Sequence, residues 1–155
     1  YDVVIIDCPP QLGFLTMSAL CASTSLLITI HPEMLDVMSM SQFLKSTADL
    51  MDVVDRAGGS TTSRWIRYLL TRFEPNDGPQ QQMAGFMRSI FGKRLLNNPV
   101  LKSTAVSDAG ITKQTLYEID RTQFHRATYD RAVESMNNVN SEIEDLIRQV
   151  WGRAK

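Results

Sequence analysis

Residues 1–13 read YDVVIIDCPPQLG. Four apolar residues, Val3, Val4, Ile5 and Ile6, run straight into one carboxylate, Asp7; Cys8, Pro9 and Pro10 follow, with Gly13 three residues on. A short, continuous, β-branched apolar run predicts a strand over 3–7 that is buried on both faces, as in a parallel sheet. In such sheets ligands bind beyond the carboxyl ends of the strands, and Asp7 stands at such an end. Spacing alone leaves a second role open to it, that of capping free amides of the helix that follows.

Working outward, the pattern predicts a helix over 12–22 and an apolar strand over 26–30, closed by His31 and Pro32. A long helix over 35–54 has Leu35, Met38, Phe43, Leu44, Leu50 and Met51 as its inward residues. Residues 57–63, AGGSTTS, are the clearest loop. A strand over 65–71, a turn over 74–79 and a helix over 80–91 come next, then an extended piece over 95–101 broken by Pro99. A long amphipathic helix runs from about 124 to 150, with Asn137, Asn140 and Gly152 leaving its interior and end open. Strands alternating with helices place the chain in the α/β class, as part of a doubly wound, mostly parallel sheet flanked by helices. A sheet of that kind lacking its first strands would present an open edge and apolar faces.

The length of 155 residues fits one domain, and 43% hydrophobic with 21% charged residues is ordinary for a soluble chain. A net charge of −1 gives no global electrostatic case for nucleic acid or membrane. The distribution says more. Residues 1–60 carry Asp2, Asp7, Glu33, Asp36, Asp49, Asp52 and Asp55 against Lys45 and Arg56, whereas residues 64–131 carry eleven Lys/Arg against six Asp/Glu. A local basic face is compatible with the neutral total. Cys8 and Cys21 form no CxxC pair and read as free thiols of a reducing compartment. No apolar run approaches the ~18 residues of a membrane-spanning helix. Tyr1 directly precedes a buried-type run, without Met or a basic leader, so the chain is expected to be a piece of a longer protein. His31 and His125 lie too far apart to predict a metal or catalytic dyad. Met34, Met38, Met40 and Met51 read as core or interface filler, and Glu142, Glu144 and Asp145 as a solvated face.

An apolar strand closed by Asp is also the Walker B pattern. Its carboxylate holds Mg²⁺, usually through water, because Mg²⁺ prefers hard oxygen ligands and dehydrates reluctantly. Pro9 and Pro10 stiffen the segment after it, and Gly13 lets the backbone come close to a phosphate. The partner motif, G-x-x-x-x-G-K-[ST], is absent: the only Gly-Lys pair, Gly92-Lys93, is followed by Arg94 and has no upstream glycine at the required spacing.

Residues 3–13, VVIIDCPPQLG, resemble the hhhhD-x-PP-x-L-G segment of the ParA/MinD group of deviant-Walker ATPases. Residues 26–40 (LLITIHPEMLDVMSM), 71–80 (TRFEPNDGPQ) and 101–110 (LKSTAVSDAG), with Thr115, Leu116, Tyr117 and Glu118, extend the likeness over essentially the whole chain. It is greatest to the ParA-type partition ATPases of alphaproteobacterial repABC plasmids. The resemblance implies a P-loop NTPase-like fold whose N-terminal strands and P-loop lie upstream, with residues 1–155 as the C-terminal part. It implies ATP and Mg²⁺ as cofactors, a homodimer formed on ATP binding, non-specific DNA as a ligand, and hydrolysis stimulated by a ParB/RepB-type centromere-binding partner. It implies a cytoplasmic, nucleoid-associated bacterial protein. Asp7 matches the Walker B acid, both catalytic and metal-holding; Pro9, Pro10 and Gly13 fall in the switch-like segment; Thr71 and Arg72 fall near the nucleotide base. Lys102, Arg121 and Arg126 are the candidates for DNA contact, Lys102 and Arg126 near positions where the resemblance places such residues, against a plain solvated surface with i,i+4 pairs such as Arg126 with Asp130. Without a P-loop, the chain alone is expected neither to bind ATP normally nor to hydrolyse it. The tail before Lys155 has no basic amphipathic helix, which argues against a membrane partner. The alternative is a non-enzymatic helix-turn-helix-like DNA-binding or repressor module centred on 105–117, against which Val106 and Pro99 stand.

Overall fold

A computed structural model describes residues 1–9, 13–58, 63–123 and 125–152. Pro10, Leu12, residues 59–62 and Phe124 lie outside the described residues, as does the side chain of Leu50.

The element order is α1 (Phe14–Ala22), β1 (Ser25–Ile30), α2 (Met34–Arg56), β2 (Trp65–Leu70), α3 (Gly78–Phe91), α4 (Thr104–Ile111) and α5 (Arg126–Val150), with 3₁₀ turns at Gly92–Arg94 and Arg121–Gln123. β1 and β2 pair in parallel, in register from Ser25 opposite Trp65 to Ile30 opposite Leu70. Parallel strands need a crossover, and α2, at 23 residues, supplies it. The 95–101 segment continues the sheet beyond β2: parallel bridges join Leu95 to Tyr68 and Leu101 to Phe73. The Leu96 amide donates to Tyr68 and the Val100 amide to Leu70, so the pairing skips residues 97–99, where Pro99 has no N–H to give. The fold is thus α/β, with a parallel sheet and helices on it.

β2 is covered on both faces, which is why its sequence is nearly continuously apolar. Tyr68 and Leu70 face one way, into a core with Ile30, Met87 and Leu95, closed by Val37, Met40 and Leu44 of α2 and Met83 and Phe91 of α3. Leu69 faces the other way, against Leu96 and Val139, with Ile143 and Leu146 of α5. The Tyr68 and Phe91 rings stack at 3.9 Å. Burial pushes the Tyr68 phenol up, opposed by the positive charge of Arg94. A third cluster seats α4 on α5 through Ala105, Ala109, Leu116, Ile119 and Ala132; the small side chains let the two helices approach.

Local chemistry sets the helix ends. Asp77 caps α3 by accepting from the Gln80 amide at 2.9 Å, with Pro79 in the first turn. Ser103 caps α4 by accepting from the Ala105 amide. Gly92 ends α3 at φ 51°, a left-handed conformation that suits glycine. Asn137 and Asn140 do not interrupt α5: Asn137 accepts from the Tyr117 hydroxyl at 2.9 Å, and the Asn140 amide donates to that hydroxyl at 3.2 Å.

Four expectations change. The strand over 3–7 does not form; Val4 and Ile5 are 75% and 89% exposed. A strand exists only by pairing, and among the described residues no strand pairs with this run: β1 pairs only with β2. On α2, Leu35 and Met38 are exposed, and the inward stripe is Val37, Met40 and Leu44. The sequence carries two apolar stripes on this helix, and only contact with the sheet selects one. The helix-turn-helix alternative lacks its second helix: α4 ends at Ile111, and residues 112–120 form turns held by Glu118 and by Tyr117. Glu142 is not a solvated acid but accepts from both Asn97 and Asn98.

The Thr115 amide donates to Glu118 and the Thr122 amide to Asp120, and these bonds hold both carboxyls below their usual range. A lowered carboxyl pKa contributes stability above the unfolded value, which is lost as pH falls through the folded one. The Thr115 and Thr122 amide resonances are therefore expected to shift together below about pH 4, and resonances that stay fixed down to about pH 2 would contradict these caps. Met87 is fully buried, and Met87→Ala is expected to cost about 2–5 kcal/mol, read as a lower denaturation midpoint at unchanged slope.

Candidate functional site

Asp7 is exposed, and among the described residues it makes no hydrogen bond or ion pair. It does not cap α1: the N-cap position is Gly13, whose carbonyl accepts from Met17 at 3.0 Å, with no side-chain cap. Gly13 has φ −99° and open space where a Cβ would stand, so the local backbone does not itself demand glycine. Pro9 is exposed in the same irregular segment, and Pro10 lies outside the described residues.

The carboxyl ends of β1 and β2 lie side by side, because Ile30 is in register with Leu70 and the Thr71 amide donates to the Ile30 carbonyl at 2.8 Å. Two loops therefore leave the sheet together. After β1, His31 ends the strand, and its ring faces two carboxylates: Nδ1 lies 3.1 Å from Asp36 and Nε2 lies 3.5 Å from Glu33. The three ligand-type atoms lie within 4.8 Å of one another, the one group of this kind among the described residues. Sequence reading missed it, since its signal is an i, i+2, i+5 spacing that runs from a strand end into a helix start. Both ring nitrogens already face acids, so the local role is to tie the acids at the start of α2.

After β2, Thr71 is half-buried and Arg72 is exposed with φ 54°. A left-handed conformation costs a non-glycine residue about 1–2 kcal/mol, and it turns the chain sharply out of the strand. Phe73 re-enters the sheet, accepting from the Lys102 amide and donating to the Val100 carbonyl, both at 3.0 Å. Glu74 binds Lys102 Nζ at 2.7 Å, and its amide donates to the buried Gln80 side chain at 2.9 Å. Gln81 also bonds the Pro75 carbonyl. Beside this loop is a concavity of about 340 Å³, walled by Phe73, Asn76, Asp77, Lys102 and Arg131 among others. No hydrogen bond or ion pair among the described residues joins Asp7 to Thr71 or Arg72.

The basic candidates are committed to acids. Lys102 holds Glu74, while Arg121 and Arg126 share Asp130 at 2.7 and 3.7 Å. All of these pairs are exposed, so each contributes only about 0–1 kcal/mol. Arg88, Lys93 and Arg94 gather at the carboxyl end of α3, the end where a helix favours cations. Gly92-Lys93 is therefore at the wrong pole of a helix to cradle phosphate. No helix among the described residues is long and apolar enough to cross a membrane.

Residues 1–57 match a family described as an AAA domain. The chain is 63% identical over 153 residues to a replication protein A of Rhizobium rhizogenes, covering 99% of this chain and 38% of that protein. It is 32% identical over 155 residues to protein SopA of Escherichia coli K12, covering 97% of this chain and 39% of that protein. It is 33% identical over 108 residues to the chromosome partitioning protein ParA of Myxococcus xanthus, covering 70% of this chain and 36% of that protein. A solved structure named partition protein shares the fold, with a TM-score of 0.59 over 90% of this chain and 33% of that chain, at 16% identity. The chain thus spans 38% of the length of the Rhizobium protein and 39% of SopA. From its match to the AAA domain and these relatives, the chain belongs to the ParA-type ATPase family.

Proposed function

We propose that this chain is the C-terminal part of a plasmid-partition ATPase, with Asp7 as its metal-holding acid. The observation that carries the reading is an apolar run that ends in one uncommitted carboxylate, two residues ahead of a Pro-Pro pair in the sequence, inside the part of the chain that matches the AAA domain. Asp7 fits the cofactor: it is a hard oxygen donor, exposed and free of other partners among the described residues. When bound, Mg²⁺ would neutralise charge on the phosphates of ATP. Asp7 would hold that ion through its carboxylate. Pro9, Pro10 and Gly13 are the switch-like residues that sense the γ-phosphate, and Thr71 with Arg72 serves the base. The reaction is ATP + H₂O → ADP + phosphate, and the protein's part in it is positioning and electrostatics. The phosphate cradle comes from outside these 155 residues.

The same reading makes ATP binding the trigger for dimerisation and for binding DNA without sequence preference, on nucleoid DNA in the cytoplasm. A ParB/RepB-type partner accelerates hydrolysis. Lys102, Arg121 and Arg126 suit phosphate contact because the acids they hold are exposed and exchange readily for a polyanion.

In the full-length protein, Asp7→Ala is expected to abolish Mg²⁺-dependent ATP hydrolysis; unchanged turnover would overturn the assignment. Arg121→Ala with Arg126→Ala is expected to reduce the salt dependence of DNA binding, with the slope of log K against log salt falling by about two. An unchanged slope would remove both residues from the DNA face.

A further inference from the structure

Two polar side chains of α5 make contacts that a solvated helix does not need. Glu142 accepts from four N–H donors of two consecutive residues: the Asn97 and Asn98 backbone amides and both of their side-chain amides, at 2.8–3.1 Å. Ser135, 6% exposed, accepts from the Leu101 amide at 2.8 Å and donates to the Pro99 carbonyl at 3.0 Å. The Leu96 amide donates to Tyr68 and the Val100 amide to Leu70, so residues 97–99 leave the ladder and their backbone groups must find partners elsewhere. α5 provides them.

The segment so held passes its position on. The Phe73 amide donates to Val100, the Lys102 amide donates to Phe73, and Lys102 Nζ holds Glu74. A continuous path of hydrogen bonds thus runs from α5 through 97–102 to the loop after β2. The concavity of about 340 Å³ has that loop on one wall and Arg131 of α5 on another, while neither Ser135 nor Glu142 lines it.

We propose that Ser135 and Glu142 are positioning residues for the base side of the nucleotide site, fixing the loop after β2 against α5 through the 97–102 segment. This rests on the nucleotide reading of Thr71 and Arg72. Base contacts hold ground state and transition state alike, so misplacing the loop weakens nucleotide binding and leaves turnover nearly unchanged.

The test compares the full-length protein with its Glu142→Leu and Glu142→Gln variants, measuring KM and kcat for Mg·ATP, affinity for a fluorescent ATP analogue, and the melting temperature. Glu142→Leu is expected to raise KM and the analogue Kd about ten-fold, with kcat within about two-fold. Glu142→Gln keeps an acceptor oxygen and is expected to give a rise of about two- to three-fold; it serves as the test if the Leu variant does not fold. A lower melting temperature with unchanged KM and Kd means a purely structural role and overturns the proposal. A wild-type protein that binds nucleotide while both variants bind it equally well overturns this proposal alone. A wild-type protein that binds no nucleotide overturns the nucleotide reading and this proposal with it.

Discussion

Parallel strands cannot be joined by a tight turn, and the pairing of β1 with β2 therefore dictates the rest of the structure. It requires α2 as a crossover, and it brings Ile30 and Leu70 level, so that the loops beginning at His31 and Thr71 leave the sheet at one edge. It also leaves β2 with two faces to cover. α2 and α3 take the face of Tyr68 and Leu70, and α5 takes the face of Leu69. This ladder brings the edge after Leu70 beside Ile30, and residues 97–102, held by α5, meet the loop beyond it.

The second constraint is Pro99. A proline in an extending strand removes a donor from the sheet, and the chain answers by recruiting α5. Ser135 takes up the backbone on either side of Val100, and Glu142 gathers the amides of Asn97 and Asn98. An amphipathic helix that covers one face of the sheet thereby also becomes a polar clamp on the sheet's edge. Its packing role alone would have left those side chains in water.

Much of this was legible in the residues. Short apolar runs with turn signals mark β1 and β2, and 3.6-residue periodicity marks α2, α3 and α5. Three features were not legible. The inward stripe of α2 depends on which of two apolar faces meets the sheet, and Val37, Met40 and Leu44 win over Leu35 and Met38. The run over 3–7 has strand composition but no ladder partner among the described residues, and composition cannot make hydrogen bonds. Glu142 reads as one more charge on a solvated face because its donors lie 44–45 residues away.

By itself, the sequence determined the α/β class, the elements α1, β1, α2, β2, α3 and α5, and Asp7 as a lone acid at the end of an apolar run, because these follow from local periodicity and turn chemistry. Only the tertiary structure decided which face of α2 is buried, where the Thr71 loop sits beside Ile30, and that Lys102, Arg121 and Arg126 hold carboxylates. Those outcomes are contacts between residues far apart in the chain. Their free energy depends on which surfaces and hydrogen-bonding groups meet, and no local pattern carries that information.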